Sequence, residues 1–168
     1  MRLHLIDTDV FIRANREHYG LDYCPAFWDW LGFHGQAGNV GSVVAVLDEI
    51  RYPVELKQWA HGAGRPLFRM VDADVMAAAK EVSRWVHGEG YLPGAVTSFM
   101  SKADYWIVAH ALAHGCAVVT HEVAAQTVKK VKIPNACRGL GVRCMDPWTM
   151  LRMVGARFIL DQGGRTVP

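Results

Sequence analysis

Apolar residues in this chain gather in short dense runs separated by stretches of helical period, and that alternation sets the expected architecture. Leu3 to Ile6 reads as a buried strand, "VGSVV" (40–44) as a second, "CAVVT" (116–120) as a third and "GVRCM" (141–145) as a shorter fourth. Pro25 suits the first turn of a helix carrying Phe27, Trp28, Trp30, Leu31 and Phe33, closed by Gly35 and Gly38. "AVLDEIRYPVELKQWAHGAG" (45–64) reads as helix that Pro53 kinks or divides. Asp74 is expected to cap a helix reaching about Val86, "HGEGYLPGAV" (87–96) to be loop, and Ser101 to cap "KADYWIVAHALAHG" (102–115), which ends on Gly115. "FIRANREHYG" (11–20) reads as a loop or helical turn and "DPWTMLRMV" (146–154) as a last helix before a frayed "DQGGRTVP" (161–168). Short apolar strands alternating with helices predict an α/β fold with a mostly parallel sheet covered on both faces.

Length and composition sharpen this only a little. At 168 residues the chain suffices for one sizeable core, so one domain over 1–155 and a C-terminal tail over 156–168 are expected. Apolar residues at 51% against 20% charged exclude a disordered tail, and a net charge of +2 is too small to demand a polyanionic partner. Cys24, Cys116, Cys137 and Cys144 fall at irregular spacings without a CxxC pair, which argues for reduced thiols rather than a zinc ribbon or disulfide framework. With Asp7 so close to the start there is no secretory signal pattern, and "YWIVAHALAHGCAVV" is too short and interrupted to span a bilayer. A cytoplasmic protein with no membrane partner is the expectation.

The candidate chemistry lies in acids that follow the apolar runs. Asp7 and Asp9 come after the first strand, Asp48 and Glu49 a short way past the second, Asp104 at a helix start, and Glu122 after "CAVVT". In an open parallel sheet the carboxyl ends of the strands form the ligand crevice, so these separate segments deliver acid toward one rim. Clustered carboxylates raise one another's pKa, and a divalent cation removes that penalty. Magnesium prefers such hard oxygen ligands, and phosphodiester cleavage is the chemistry that most often needs it. Acids at helix starts are also favoured by the helix dipole, which serves Asp104 and Glu122 without any function. Asp7 stands apart, because an acid ending a buried strand costs free energy unless paired or metal-bound. Asp9 and Asp48 read as solvated neighbours.

The order and context of "LIDTDVFI", "VLDEI", "KADYWIVAHALAHG" and "AVVTHE" resemble the PIN-domain nucleases, including the VapC-like ribonucleases of bacterial toxin and antitoxin pairs, over Leu3 to about Leu151. The ending "KIPNACRGLGVRCMDPWTML" is similar to an uncharacterised PIN-like branch. The resemblance implies a three-layer α/β/α sandwich with a mostly parallel central sheet and an acidic Mg2+ or Mn2+ site that cuts RNA. It carries the four family acids onto Asp7, Glu49, Asp104 and Glu122 as metal ligands and catalytic residues. The family's hydroxyl positions fall on Thr8 and Thr120, which with Lys130 and Lys132 are the expected substrate contacts. The fourth acid is more often Asp in the family, so Glu122 is a departure, and Asp48 beside Glu49 leaves the second acid ambiguous. A protein antitoxin is an implied partner, and self-association into a homodimer is implied as well, with "ARFIL" (156–160) as a candidate edge.

Two rivals come from other classes. "DTDV" fits the DxDx motif of haloacid dehalogenase-like phosphatases, with one Asp as nucleophile and the next as acid and base, but "HEVAAQTVKK" supplies lysines without the later acid pair. A non-catalytic PIN-like binding module would use its acids for structure alone. Among lesser features, His110 and His114 stand i, i+4 without an HExxH frame and read as half-buried or surface residues, and His121 as solvent-facing. Lys129, Lys130, Lys132, Arg138 and Arg143 form the densest basic stretch, suited to steering an RNA backbone or simply to solvation. Trp28, Trp30 and Phe33 read chiefly as core, with one or two exposed.

Overall fold

A computed structural model describes residues 2–159, 161–162 and 165–166. Five strands, β1 (His4–Ile6), β2 (Val40–Val43), β3 (Phe68–Arg69), β4 (Ala117–Val119) and β5 (Arg143–Met145), form one parallel sheet in the order β3-β2-β1-β4-β5. β1 is central, pairing Leu5 with Gly41 on one side and with Val118 on the other. Leu5, Ile6, Val118 and Val119 are fully buried, which is why these strands are continuous apolar runs rather than alternating ones. Every residue of β1, β2 and β4 is buried.

The helices are α1 (Thr8–Arg13), α2 (Pro25–Gln36), α3 (Val44–Glu49), α4 (Val54–His61), α5 (Ala73–Gly88), α6 (Pro93–Met100), α7 (Ala103–His114), α8 (Ile133–Gly139) and α9 (Pro147–Val154). α7 lies against β2 and β4 with α5 packed on it, while α1, α2 and α9 surround Ile6 with Val10, Phe27, Leu31 and Met150. The expected three-layer α/β/α sandwich is what the chain adopts. Among the described residues no helix is long and apolar enough to cross a membrane.

Several local expectations need correction. The stretch after β1 is helical throughout: α1 runs on through π-helical Ala14–His18 and closes before Gly20. Pro53 divides rather than kinks, separating α3 from α4 through a cis Tyr52–Pro53 bond. Asp72, not Asp74, caps α5, its Oδ1 accepting from Val75 N at 2.9 Å. The stretch 87–96 is loop only in its middle, because Pro93, whose missing N–H costs nothing at a first turn, opens α6. Ser101 ends α6, and α7 begins after Lys102. α8 and the two-residue β3 had no periodic run long enough to reveal them. Gly115 does close α7, at φ +63°, a conformation only glycine adopts cheaply. All four cysteines are free, Cys116 and Cys137 buried and Cys24 and Cys144 half-buried. The expected fraying of 161–168 lies partly outside the described residues; those described pair as an antiparallel ladder, Asp161–Gln162 with Arg165–Thr166. Of "ARFIL", Leu160 lies outside the described residues, and Phe158 packs near Tyr19, Phe27 and Trp30.

Candidate functional site

The connections leaving β1 run toward β2 and β3 on one side, whereas β4 and β5 lie on the other, so the sheet changes direction between β1 and β4. Loops leaving those two strands diverge there and open a crevice. Asp7 follows β1 directly, its N–H donating to Val119 O at 3.0 Å, and Thr120 follows β4. Both are buried, and Thr120 Oγ1 donates to Asp7 Oδ2 at 2.9 Å while accepting from Glu122 N at 3.1 Å. One hydroxyl therefore ties the first and last of the four candidate acids into a common frame.

Asp7 is also a helix cap, contrary to its reading as the mere end of a strand. It is the N-cap of α1, its Oδ1 accepting from Thr8 N at 2.7 Å. The cap does not offset its surroundings. Burial, then the nearby charge of Asp104, pushes the Asp7 carboxyl up to about 7 against the lowering effect of the Thr120 and Thr8 hydrogen bonds. Asp104, in the first turn of α7, is pushed up to about 6 by burial and by the charges of Glu122 and Glu49, with Lys102 and Lys130 acting the other way. Among the described residues no hydrogen-bond donor reaches the Asp104 carboxylate.

Glu49 arrives at the end of α3 and is half-buried. Its Oε2 accepts from Thr8 Oγ1 at 2.7 Å and its Oε1 from Ala103 N at 2.9 Å. It thereby supplies the start of α7 with the acceptor that Ser101 was expected to provide. Glu122 is held by other donors: Lys132 Nζ at 2.9 Å and Lys130 Nζ at 3.3 Å on Oε1, and Ile133 N at 2.8 Å on Oε2. These bonds outweigh burial and keep its pKa below the usual carboxylate range. Asp48 and Asp9 are exposed.

Asp104 thus lies within electrostatic reach of each of the other three sequence-predicted acids, and the four are in two conditions. Among the described residues no three His, Cys, Asp or Glu side chains form a finished metal-ligand group, because Glu49 and Glu122 are turned onto internal donors. Asp7 and Asp104 are left short of positive charge, and their hard oxygens on two separate elements fit a divalent cation in donor type and charge. Thr8 and Thr120, expected as substrate contacts, have their hydroxyls committed to Glu49 and Asp7. An open basin of about 500 Å³ lies over the site, lined by Asp7, Asp9, Arg13, Glu122, Lys130 and Lys132 among others. Arg13 was missed. Had α1 been read as continuous from Asp7, the i, i+4 spacing of Asp9 and Arg13 would have put both on one face.

Of the remaining candidates, His110 is buried, not on the surface, and desolvation pushes it down to about 4, while His114 pairs with Asp72 at 3.0 Å on α5. His121 is half-buried, beside the paired rings of His18 and Trp148, rather than facing solvent. Arg138 borders a neighbouring hollow with Glu122, and Arg143 is exposed on β5. Trp28 is buried and donates to Tyr19 O, Trp30 is half-buried, and Phe33 is exposed.

The comparisons agree with this geometry at the level of the fold. A chain in the crystal structure of VapBC2 from Rickettsia felis bound to a DNA fragment from its promoter superposes with a TM-score of 0.53 at 15% identity. The match covers 86% of this chain and 98% of that one, and shows that the two chains share a fold. No curated protein matches the chain in sequence. The model of the family described as "Domain of unknown function (DUF4411)" matches residues 4–158, and the chain therefore belongs to that family.

Proposed function

We propose that this chain is a PIN-type ribonuclease that hydrolyses RNA phosphodiester bonds with Mg2+ or Mn2+ and serves as the toxin of a toxin and antitoxin pair. The observation that carries the reading is the Asp7 and Asp104 pair at the sheet's switch point, two carboxylates held close with too little positive charge to ionise together. A bound dication would supply a water of lowered pKa and charge stabilisation for the phosphate. Asp7 and Asp104 are the residues that would hold that ion. Glu49 orders the approach of α7 to α1 through Ala103 and Thr8, and so fixes the spacing of the two aspartates. Glu122 completes the acidic set, and Thr120 keeps Asp7 from rotating away. Lys130, Lys132 and Arg13, on the basin wall, receive the RNA backbone.

The Rickettsia felis structure holds VapBC2 bound to a DNA fragment. The toxin-like sequence motifs of this chain point to a protein antitoxin as its partner and to the association of two copies. The phosphatase alternative gains nothing from the fold comparison, and the stretch "HEVAAQTVKK" supplies lysines without the acid pair that mechanism needs. The test is incubation with structured and unstructured RNA, with and without manganese. Wild type is expected to cut only with the metal, and Asp104→Ala to lose at least about a hundredfold in rate. Cutting that is equally fast in EDTA, or unchanged by Asp104→Ala, would sink the proposal, and turnover of p-nitrophenyl phosphate in place of RNA would favour the phosphatase.

A further inference from the structure

Glu122 is neutralised twice over, and the two kinds of bond differ in how easily they break. Its Oε2 is held by a backbone N–H, that of Ile133, which cannot leave without moving α8. Its Oε1 is held only by two ammonium groups, Lys132 at 2.9 Å and Lys130 at 3.3 Å. The carboxylate side chain is 17% exposed and anchored at Oε2, whereas Lys132 and Lys130 are 23% and 54% exposed and meet it only through their ammonium ends, so the lysine bonds, that of Lys130 first, are the ones that can be exchanged. Both lysines also feel the charge of Asp104. The two ammoniums thus pair with Glu122 and also act through space on Asp104, carrying together the charge of a dication on the wall of the same basin as Asp7.

We infer that Lys130 and Lys132 serve two anions in turn: with the basin empty they neutralise Glu122, and an RNA phosphate draws them off Oε1, freeing that oxygen for a divalent cation. This rests on the nuclease reading above and adds a regulation to it. The cation and the lysines compete for Glu122 Oε1, while Glu122 and the RNA phosphates compete for the lysines. Each ligand therefore favours the other by the same factor, as linkage requires. The anchored Oε2 keeps the carboxylate in place during the exchange, so no segment has to move. Without RNA the site binds metal weakly, which restrains idle ion occupancy and couples activation to substrate.

Two binding measurements without turnover test the inference. In EDTA, Glu122→Gln is expected to bind an unstructured oligoribonucleotide roughly three- to tenfold tighter than wild type, because its lysines are released. Asp9→Asn, which removes a carboxylate from the same basin but not from the lysines, is the comparator and should change affinity distinctly less. Without RNA, Lys130→Ala/Lys132→Ala is expected to bind Mn2+ tighter than wild type by a similar factor, with Lys129→Ala as comparator. Lys130→Ala alone, a change at an exposed side chain, repeats the metal arm should the double variant fail to fold. Glu122→Gln no tighter than Asp9→Asn, or the lysine variants no tighter for Mn2+ than Lys129→Ala, would overturn the coupling. A wild type that binds RNA and Mn2+ while the variants match their comparators overturns the coupling alone; one that binds neither overturns the nuclease reading with it.

Discussion

The two walls of the acidic site face opposite electrostatic problems. On one, Asp7 and Asp104 have no ion-pair partner among the described residues, and their pKa values rise; on the other, Glu122 has two lysines and a backbone N–H, and its pKa falls. Both walls are built from acids that follow apolar runs, so the residue type alone does not decide the outcome. What differs is the source of the compensating charge. The loop after β4 brings two lysines into ion pairs with Glu122, whereas Lys102, at the start of α7, acts on Asp104 only through space and forms no ion pair with it among the described residues. A binding site is left where the chain has not satisfied itself.

The contrast can be broken most forcefully through pH. A carboxyl whose folded pKa exceeds its unfolded one holds its proton more tightly in the native state. Its contribution therefore favours folding at low pH and is lost as pH rises from 3.8 toward about 7 for Asp7. Asp7→Asn removes that loss, so it should match wild type near pH 4 and be more stable by a few kcal/mol above pH 7 in metal-free buffer. Melting both proteins across that range checks it, and equal slopes would show that Asp7 is not charge-strained. A somewhat smaller effect is expected from metal. Manganese at about a hundredfold over its Kd should stabilise wild type by about 2.7 kcal/mol, or roughly 5–10 °C in Tm, and Asp7→Asn should lose most of that shift. A bare scaffold would show no manganese-dependent rise in either protein. The smallest effect sharpens the link between the walls. Thr120→Val deletes the donor to Asp7 Oδ2 and the acceptor for Glu122 N, and should cost about 1–2 kcal/mol by denaturant melting. It should also raise the Asp7 pKa further, since that hydrogen bond now holds it down, and an Asp7 titration followed by NMR reads the change.

How much of this was legible depended on how local each cause is. Leu5, Ile6, Val118 and Val119 announced central parallel strands because burial on both faces demands unbroken apolar runs, and the acids behind them were found by that register alone. Pro25 and Gly115 marked helix ends through their own backbone restrictions. Asp74 and Ser101 misled, because each is a good capping residue and the choice between neighbours is made by packing: Asp72 reaches Val75 N, and Glu49, 54 residues earlier in sequence, reaches Ala103 N. His110 was read as half-buried or at the surface because a helix buried on nearly all sides has no polar stripe to place it on. β3 and α8 were missed because two residues of strand and seven of helix leave too short a periodic signal.

By itself the sequence determined the alternation of strands and helices, the parallel sheet and the placing of acids at element ends, since those follow from periodicity and from local backbone limits. Only the tertiary structure decided which acids stay charge-strained and which are neutralised, because that turns on donors brought together from distant segments at distances near 3 Å. Coulomb energy and desolvation depend on those separations, and no spacing along the chain encodes them.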